Sequence, residues 1–571
     1  MTAVGGGMES WLRRASRVLP FSIGALLAVG LIGVLLDPVH DKRAFSAFLF
    51  IRQDLVPAIL IALLTRYALR KGNASGTPRW TMRLAGRPWI LAGLLTVACW
   101  GGQHWLLQGY DLTRDEQMTA FDASIYASGH LFWSIAPEWH PYAEALNQFF
   151  ILPIAGRQAW VSGYLPMNAL IHAMAGSIGA SGLVSPIFTG IGALALWRVA
   201  RRLWPDDGQA MTVALLLYAG SSQVVVQGMT AHAMAAHLAL NLVWLLLFLR
   251  GGWSHAGTIL VGFVATGLHQ PVFHPLFVFP ILATLLFDRR WRLASVYAAA
   301  YAAIGLFWFI WPNIVVDLAG GPLTGLSGTG DRLGYADRIA ALLHDFGPVS
   351  IWLMAMNLIR FLAWQHLLFV PLVAAGATIA WRQPFVRPLI YGILLHIFIV
   401  GLLLAYQGHG WGYRYLHGII GSACILGAYG WRALRPMWPP GRLWNWSNAL
   451  SFGLLLPAHM VMAAWLTLPY AQVSRSIDHM PVEVVIIADG AVAFGADLVI
   501  NRADLSNRPV RLLASELDEA KVARLCGRRK VQFVESAALA PISRALDAAP
   551  SGAEHLRSLQ GACAFGHQGS R

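Results

Sequence analysis

The feature that most constrains this chain is a recurrence of apolar windows about 20 residues long, running from near the N-terminus to about residue 470. A helix rises 1.5 Å per residue, so a window of roughly 20 apolar residues crosses the hydrocarbon of a bilayer. About thirteen such spans are expected, near 20–36, 47–66, 88–107, 183–203, 209–227, 232–250, 256–272, 274–288, 293–312, 364–381, 388–405, 416–431 and 447–469. Only 12% of the 571 residues are charged, about half the roughly 25% of soluble proteins, which excludes a soluble fold. The expected fold class is an α-helical integral membrane protein with outer-face amphipathic helices and a small C-terminal α/β soluble domain. Four cysteines, Cys99, Cys424, Cys526 and Cys563, show no CxxC spacing. Neither a disulfide framework nor a zinc knuckle is indicated, and a single Cys526–Cys563 bridge stays open.

The charges assign an orientation. The first apolar run follows Arg13, Arg14 and Arg17 and ends in Asp37-Pro38-Val39-His40 without a small-x-small cleavage signal, so it reads as a retained signal anchor with its N-terminus inside. From that start, the inside segments hold 21 Lys and Arg against four acids, Glu9, Asp206, Asp207 and Asp288. The outside segments before the tail hold nine bases and thirteen acids. This positive-inside bias accounts for the net charge of +14, and no soluble basic domain is left to bind nucleic acid. The protein is therefore expected as a multi-pass protein of a cytoplasmic (inner) membrane, N-terminus cytoplasmic and C-terminal domain extracytoplasmic (periplasmic). With 38 Arg against 4 Lys, the composition points to a GC-rich bacterial source.

Polar residues collect in outer stretches 108–181 and 313–363, in the short loop 406–415, and in the tail 471–571. In the first, Thr113 and Glu116 have capping-box spacing, and Met118, Phe121, Ile125 and Tyr126 follow at helical intervals, predicting an amphipathic helix along the membrane. Asp111, Asp115, Glu116 and Asp122 put four carboxylates within twelve residues. An acid at a helix start complements the dipole, which accounts for one of Asp115 and Glu116 more readily than for both. Gly163-Tyr164-Leu-Pro166 opens a broken apolar segment that reads as dipping into the outer leaflet. In the 320–334 glycine-rich stretch, Asp331 and Arg332 are candidates for a lid, although such loops are as often connectors.

Two further constellations carry chemistry. His269-Gln270-Pro271-Val-Phe-His274-Pro275 sets two histidines five apart, about 140° on a helix, which excludes an i, i+4 metal pair. Its prolines make a bent turn that can aim both rings into a cavity, though a single interfacial His is more often a satisfied core group. His232 and His237 repeat the spacing without a break. The densest cluster is Tyr406-Gln-Gly-His409-Gly-Trp411-Gly412-Tyr413-Arg414-Tyr415-Leu-His417-Gly418, where glycines permit tight turns and aromatics supply stacking surface. Arg414 is the sole base of that loop, and it suits an anion clamp better than a lipid snorkel. In the tail, strands are expected at 482–488, 510–513 and 531–534 and a helix at 515–526, with the last twenty residues unstructured.

This arrangement resembles the membrane glycosyltransferases of the GT-C superfamily, most nearly the group containing protein O-mannosyltransferases and the lipid A aminoarabinose transferase. The resemblance rests on Asp115-Glu116 opening the first large outer loop, on Tyr164-Leu-Pro166, and on a span closing in Arg198, Arg201 and Arg202. One departure is that the acidic loop follows the third expected helix instead of the first, so residues 1–87 read as a two-helix N-terminal extension. Residues 88–470 then form the catalytic membrane domain, and 471–571 the tail domain. The resemblance implies transfer of a sugar from a polyprenyl-phosphate-linked donor to a lipid, polysaccharide or protein acceptor at the outer face. Inversion needs a base at the acceptor and stabilisation of the leaving phosphate. Asp115 is the first choice for base and Glu116 the second; Arg414, with His269, His274 and His409, would hold the phosphate. Trp411, Tyr413, Gln270 and Arg332 complete the candidate binding residues. A divalent metal bridging Asp115 and phosphate is compatible with these ligands, but no spacing demands it, and no other cofactor is called for.

Three rivals compete. A transporter or flippase would also carry intramembrane His and Arg, but no inverted repeat is evident and the charges gather at one face. An O-antigen-ligase-like polysaccharide transferase has no need of the acidic pair. A structural membrane protein would leave Asp115, His274 and Arg414 individually replaceable.

Overall fold

The protein is described here by a computed structural model covering residues 2–36, 42–70, 84, 86–147, 149–152, 154, 158–321, 343–344, 347–383, 385–436, 441–546 and 553–568. It is an α-helical membrane protein. Among the described residues, six helices are long and apolar enough to cross a membrane: Glu9–Leu36, Phe45–Arg70, Ser181–Leu203, Trp291–Leu318, Val386–Leu403 and Leu443–Asp478. Shorter apolar helices, among them Gly208–Ala219, Met234–Arg250, Ser254–Thr266 and Phe273–Phe287, fall in most of the remaining expected windows.

In the membrane domain, two expectations differ from the structure. The window 364–381 holds a shorter helix, Phe369–Ile379, and a separate helix, Pro348–Ala363, precedes it with a break at 364–368. Consequently the stretch 313–363, read as an outer loop, contains a 16-residue apolar helix. Asn357 and Arg360 interrupt its apolar run and hid it, yet both are buried.

The chain divides into two compact units. The first comprises residues 1–102, 183–307 and 336–462 and holds most of the apolar helices. Its Phe369–Ile379 and Ile420–Leu434 helices cross at glycines: a Cβ on Gly376 would collide with the Leu426 carbonyl, and one on Gly430 with the Leu372 carbonyl. Small residues bring backbones close where lipid offers no hydrophobic drive to helix association. The same unit buries an ion pair. Arg360 Nε donates to Asp54 Oδ2 at 2.9 Å, and Trp364 Nε1 donates to Asp54 Oδ1 at 3.1 Å.

The second unit comprises residues 103–182, 308–335 and 463–571. Its tail carries a parallel three-stranded sheet with Val484–Ile487 between Val510–Leu513 and Val531–Val534. The first two strands are buried throughout, which is why they read as continuous apolar runs. The helix expected at 515–526 forms as Glu519–Cys526, capped by Asp518. The last twenty residues, expected to be unstructured, instead contain the Ala553–Gln568 helix, and Cys526 is bonded to Cys563 within it. That covalent tie offsets a glycine-rich composition that would not order the segment alone. Residues of the 103–182 stretch pack on the tail: Asn147 Nδ2 donates to Ala496 O at 2.8 Å and Trp160 Nε1 to Ala503 O at 3.1 Å.

Asp54→Ala is expected to destabilise the protein by about 3–5 kcal/mol, because it strands a buried guanidinium. The Asp54→Leu/Arg360→Leu double variant should recover most of that loss in chemical unfolding in mixed micelles. Equal losses in the single and double variants would show that the pair is not what matters there.

Candidate functional site

The Arg114–Ala127 helix begins where the sequence places it. Thr113 Oγ1 accepts from the Glu116 amide at 3.3 Å, and Glu116 Oε2 accepts from the Thr113 amide at 3.0 Å. The cap therefore engages Glu116, which is buried, while the neighbouring Asp115 is only partly buried. Asp115 meets another partner: the Tyr164 hydroxyl donates to its Oδ1. Tyr164 is held in turn, its amide donating to Ser162 Oγ at 3.1 Å, while the Ser162 hydroxyl donates to Asp122 Oδ2 at 2.6 Å. Asn168, two residues beyond Pro166, donates to Thr119 Oγ1 at 3.1 Å. The two sequence pieces Asp115-Glu116 and Tyr164-Leu-Pro166, about fifty residues apart, thus form one hydrogen-bonded constellation.

Groups that sequence reasoning did not single out support it. Arg114 is buried and spans to the loop behind, donating to Asn147 O at 2.7 Å. Burial pulls its pKa down, and Asp497, Asp122 and Tyr164 oppose that by favouring its charge. Gln117 Nε2 bridges Asp111 O at 3.1 Å and Asp497 O at 2.8 Å. Burial pushes Asp122 up to about 7, against the Ser162 hydrogen bond and Arg114, and pushes Asp111 up to about 6. Four carboxylates in twelve residues are thus in unlike environments, and only the structure separates their roles.

The second constellation lies in the apolar unit. The 406–415 loop is strapped by glutamine amides: Gln223 Nε2 donates to Tyr413 O at 2.9 Å, Gln227 Nε2 to Trp411 O at 2.9 Å, and Gln407 Nε2 to Gly412 O at 2.8 Å. Gly412 has φ +62°, and a Cβ there would come within about 2.5 Å of the Gln223 amide oxygen, so the loop requires glycine twice over. Arg414 is buried, with Nη2 donating to Gln407 O at 2.8 Å and its guanidinium 5.4 Å from the Tyr415 ring centroid. Its Nη1 lies 3.2 Å from His232 Nε2. Arginine only donates, so that nitrogen must accept, which places the proton on His232 Nδ1, 3.1 Å from Thr230 Oγ1.

The structure distributes the expected histidines differently. His232, which the sequence offers without an adjacent chain break, lies against Arg414. His409 packs edge-on to Phe45 with centroids 6.0 Å apart. His274 is fully buried, with Nδ1 2.7 Å from Asn241 Oδ1 and Nε2 2.8 Å from the Tyr301 hydroxyl. His269 is half-buried and stacks on Phe273 at 6.4 Å, and Gln270 beside it is also half-buried. Trp411 and Tyr413 are buried, their carbonyls serving the glutamine straps. Asp331 and Arg332 lie outside the described residues. Among the described residues no group of three His, Cys, Asp or Glu is placed to hold a metal ion.

No protein-family model matches the sequence, and no curated protein matches it. The chain is similar to two solved structures of ArnT from Cupriavidus metallidurans. With the one bound to undecaprenyl phosphate the identity is 11%, the TM-score 0.44, and the match covers 72% of this chain and 84% of that one. With the apo structure the identity is 12%, the TM-score 0.45, and the coverage 79% and 93%.

Two outcomes are expected. Asp122 binds a proton in the folded state between about pH 4 and about pH 7 that the unfolded chain releases, so its contribution to stability falls as pH rises through that window. Asp122→Asn should therefore raise Tm at pH 8 and leave it nearly unchanged at pH 4; an equal shift at both would remove the ionisation argument. Gly412→Ala should cost about 1–3 kcal/mol through its left-handed backbone alone. Unaltered thermal unfolding of that variant would show that the loop relaxes freely.

Proposed function

We propose that the chain is a membrane glycosyltransferase that moves a sugar from a polyprenyl-phosphate carrier to an acceptor hydroxyl at the outer face, with inversion. The observation that carries this reading is the Asp115 carboxylate held by the Tyr164 hydroxyl at the head of a capped helix whose cap engages Glu116 instead. A general base has to be oriented, and the Tyr164 hydroxyl orients Asp115. In the displacement, the acceptor oxygen forms the new bond to the anomeric carbon as Asp115 takes its proton. The bond to the carrier phosphate breaks, and the phosphate leaves with the electron pair. Arg414, oriented by Gln407 and His232, is the cation assigned to that phosphate, a role that guanidinium geometry suits. Tyr164 is a positioning residue.

The outer location of the first loop and tail, and the inner location of the N-terminus, belong to the same proposal. The arginine distribution supports them. So does the Cys526–Cys563 disulfide, since such bonds persist in oxidising compartments. The division into a two-helix extension, a catalytic membrane domain and a tail remains part of this reading.

Asp115→Asn is expected to lower transfer by about 10²–10⁴-fold, the usual worth of a general base, while the purified protein still retains its carrier. Native mass spectrometry of wild type and Arg414→Ala should show co-purified polyprenyl phosphate, or its glycosylated form, depleted in the variant. Full transfer by Asp115→Asn would remove the base assignment. Absence of carrier from both folded samples after incubation with lipid extract would favour a transporter.

A further inference from the structure

A cavity of about 560 Å³ opens beside the C-terminal end of the Val184–Leu203 helix. The charge distribution along the sequence reads this end as the inner side of the membrane. Its walls come from three chain segments of the apolar unit and include Trp204, Asp206, Asp207, Gln383, Arg432 and Arg435.

Asp207 organises it. Its side chain caps the Gly208–Ala219 helix, Oδ1 accepting from the Ala210 amide at 3.1 Å. The same carboxylate receives Arg432 Nε at 3.0 Å and Arg435 Nη1 at 2.8 Å. The Trp204 ring lies 5.5 Å from the Arg432 guanidinium and meets Tyr429 edge-on at 4.7 Å, which fixes the Arg432 plane. One carboxylate therefore holds two arginines, and each presents further N–H groups beyond the one that Asp207 uses. Both guanidiniums remain about one third exposed at the cavity wall. The lining carries these two arginines beside Asp206 and Asp207. A preorganised concavity with two partly exposed guanidiniums can receive a phosphate group on the N–H groups that Asp207 does not use.

The geometry points to a phosphate-binding site in this cavity, whose ligand is the phosphodiester of an anionic phospholipid or a free phosphate of like charge. This inference is independent of the transferase reading and would survive its failure. The two sources separate in one experiment. Purified full-length protein is delipidated and offered phosphatidylglycerol or phosphatidylcholine, with adducts counted by native mass spectrometry, and its Tm is followed with inorganic phosphate in a parallel arm. Arg435→Gln removes one donor. Gln383→Trp, at an exposed position, fills the mouth while keeping the Asp207 pairs, so a folding defect in the first variant leaves the second informative.

Tenfold or greater preference for phosphatidylglycerol, lost in Gln383→Trp and in Arg435→Gln where it folds, is the expected result and identifies a lipid ligand. A Tm rise with millimolar phosphate, lost in the same variants without lipid preference, supports the site with a soluble ligand. Equal retention of the two lipids with no phosphate effect, or a preference that Gln383→Trp leaves intact, overturns the proposal.

Discussion

A buried polar loop persists only if its backbone groups find partners, and the apolar unit meets this need with side-chain amides. Water is scarce there, so each unpaired carbonyl would cost on the order of 1–3 kcal/mol. Gln223, Gln227 and Gln407 give their amide hydrogens to three consecutive carbonyls, of Tyr413, Trp411 and Gly412. Gln223 and Gln227 lie four apart on one short helix, so a single helical face holds the loop at two points. The conformation so fixed sets where Arg414 emerges, and the Arg414 amide then returns to Gln407 Oε1 at 3.0 Å. Loop and guanidinium are thus one hydrogen-bonded object, and the glycines between the aromatics are the means by which the chain turns sharply enough to form it.

The acidic constellation solves the opposite problem, that of keeping like charges close together. Four carboxylates within twelve residues repel unless their environments differ. Here burial raises Asp122 and Asp111, Glu116 is committed to the helix cap, and Asp115 receives a phenol. Arg114 adds positive charge on the same turn, where the helix dipole alone would disfavour it. It tolerates that position by bracing the loop at Asn147, so one side chain supplies both a countercharge and a strut.

Much of this was legible from local rules. The Thr113–Glu116 spacing predicted the cap that forms, the β-branched runs predicted the tail strands, and 20-residue apolar windows predicted most of the helices. What remained hidden depends on partners distant in sequence. Asp54 and Arg360 are 306 positions apart, and neither announces the other. Nothing in the sequence around His274 distinguishes a ligand from a ring bonded at both nitrogens, whereas the structure shows the latter. No proline breaks the chain beside His232, yet what makes it a neighbour of Arg414 is the fold of a loop 182 residues away. The Gln223–Gln227 pair was a readable signal, two amides on one face of an apolar helix, but an amide is a weaker flag than a charge.

The two buried arginines of the apolar unit show why geometry and burial have to be read together. Arg360 faces a carboxylate, with an indole completing the second oxygen, so charge is balanced where it is buried. Arg414 is oriented by a carbonyl, an imidazole nitrogen and an aromatic face. In a medium of low effective dielectric, a charge balanced by a carboxylate is structural cement, as Arg360 is. The His232 tautomer follows from the same logic: an imidazolium would present a second cation to Arg414, and the hydrogen bond requires the neutral ring. The imidazole nitrogen that accepts from Arg414 therefore fixes the direction of its guanidinium, as the Asp54 carboxylate fixes that of Arg360.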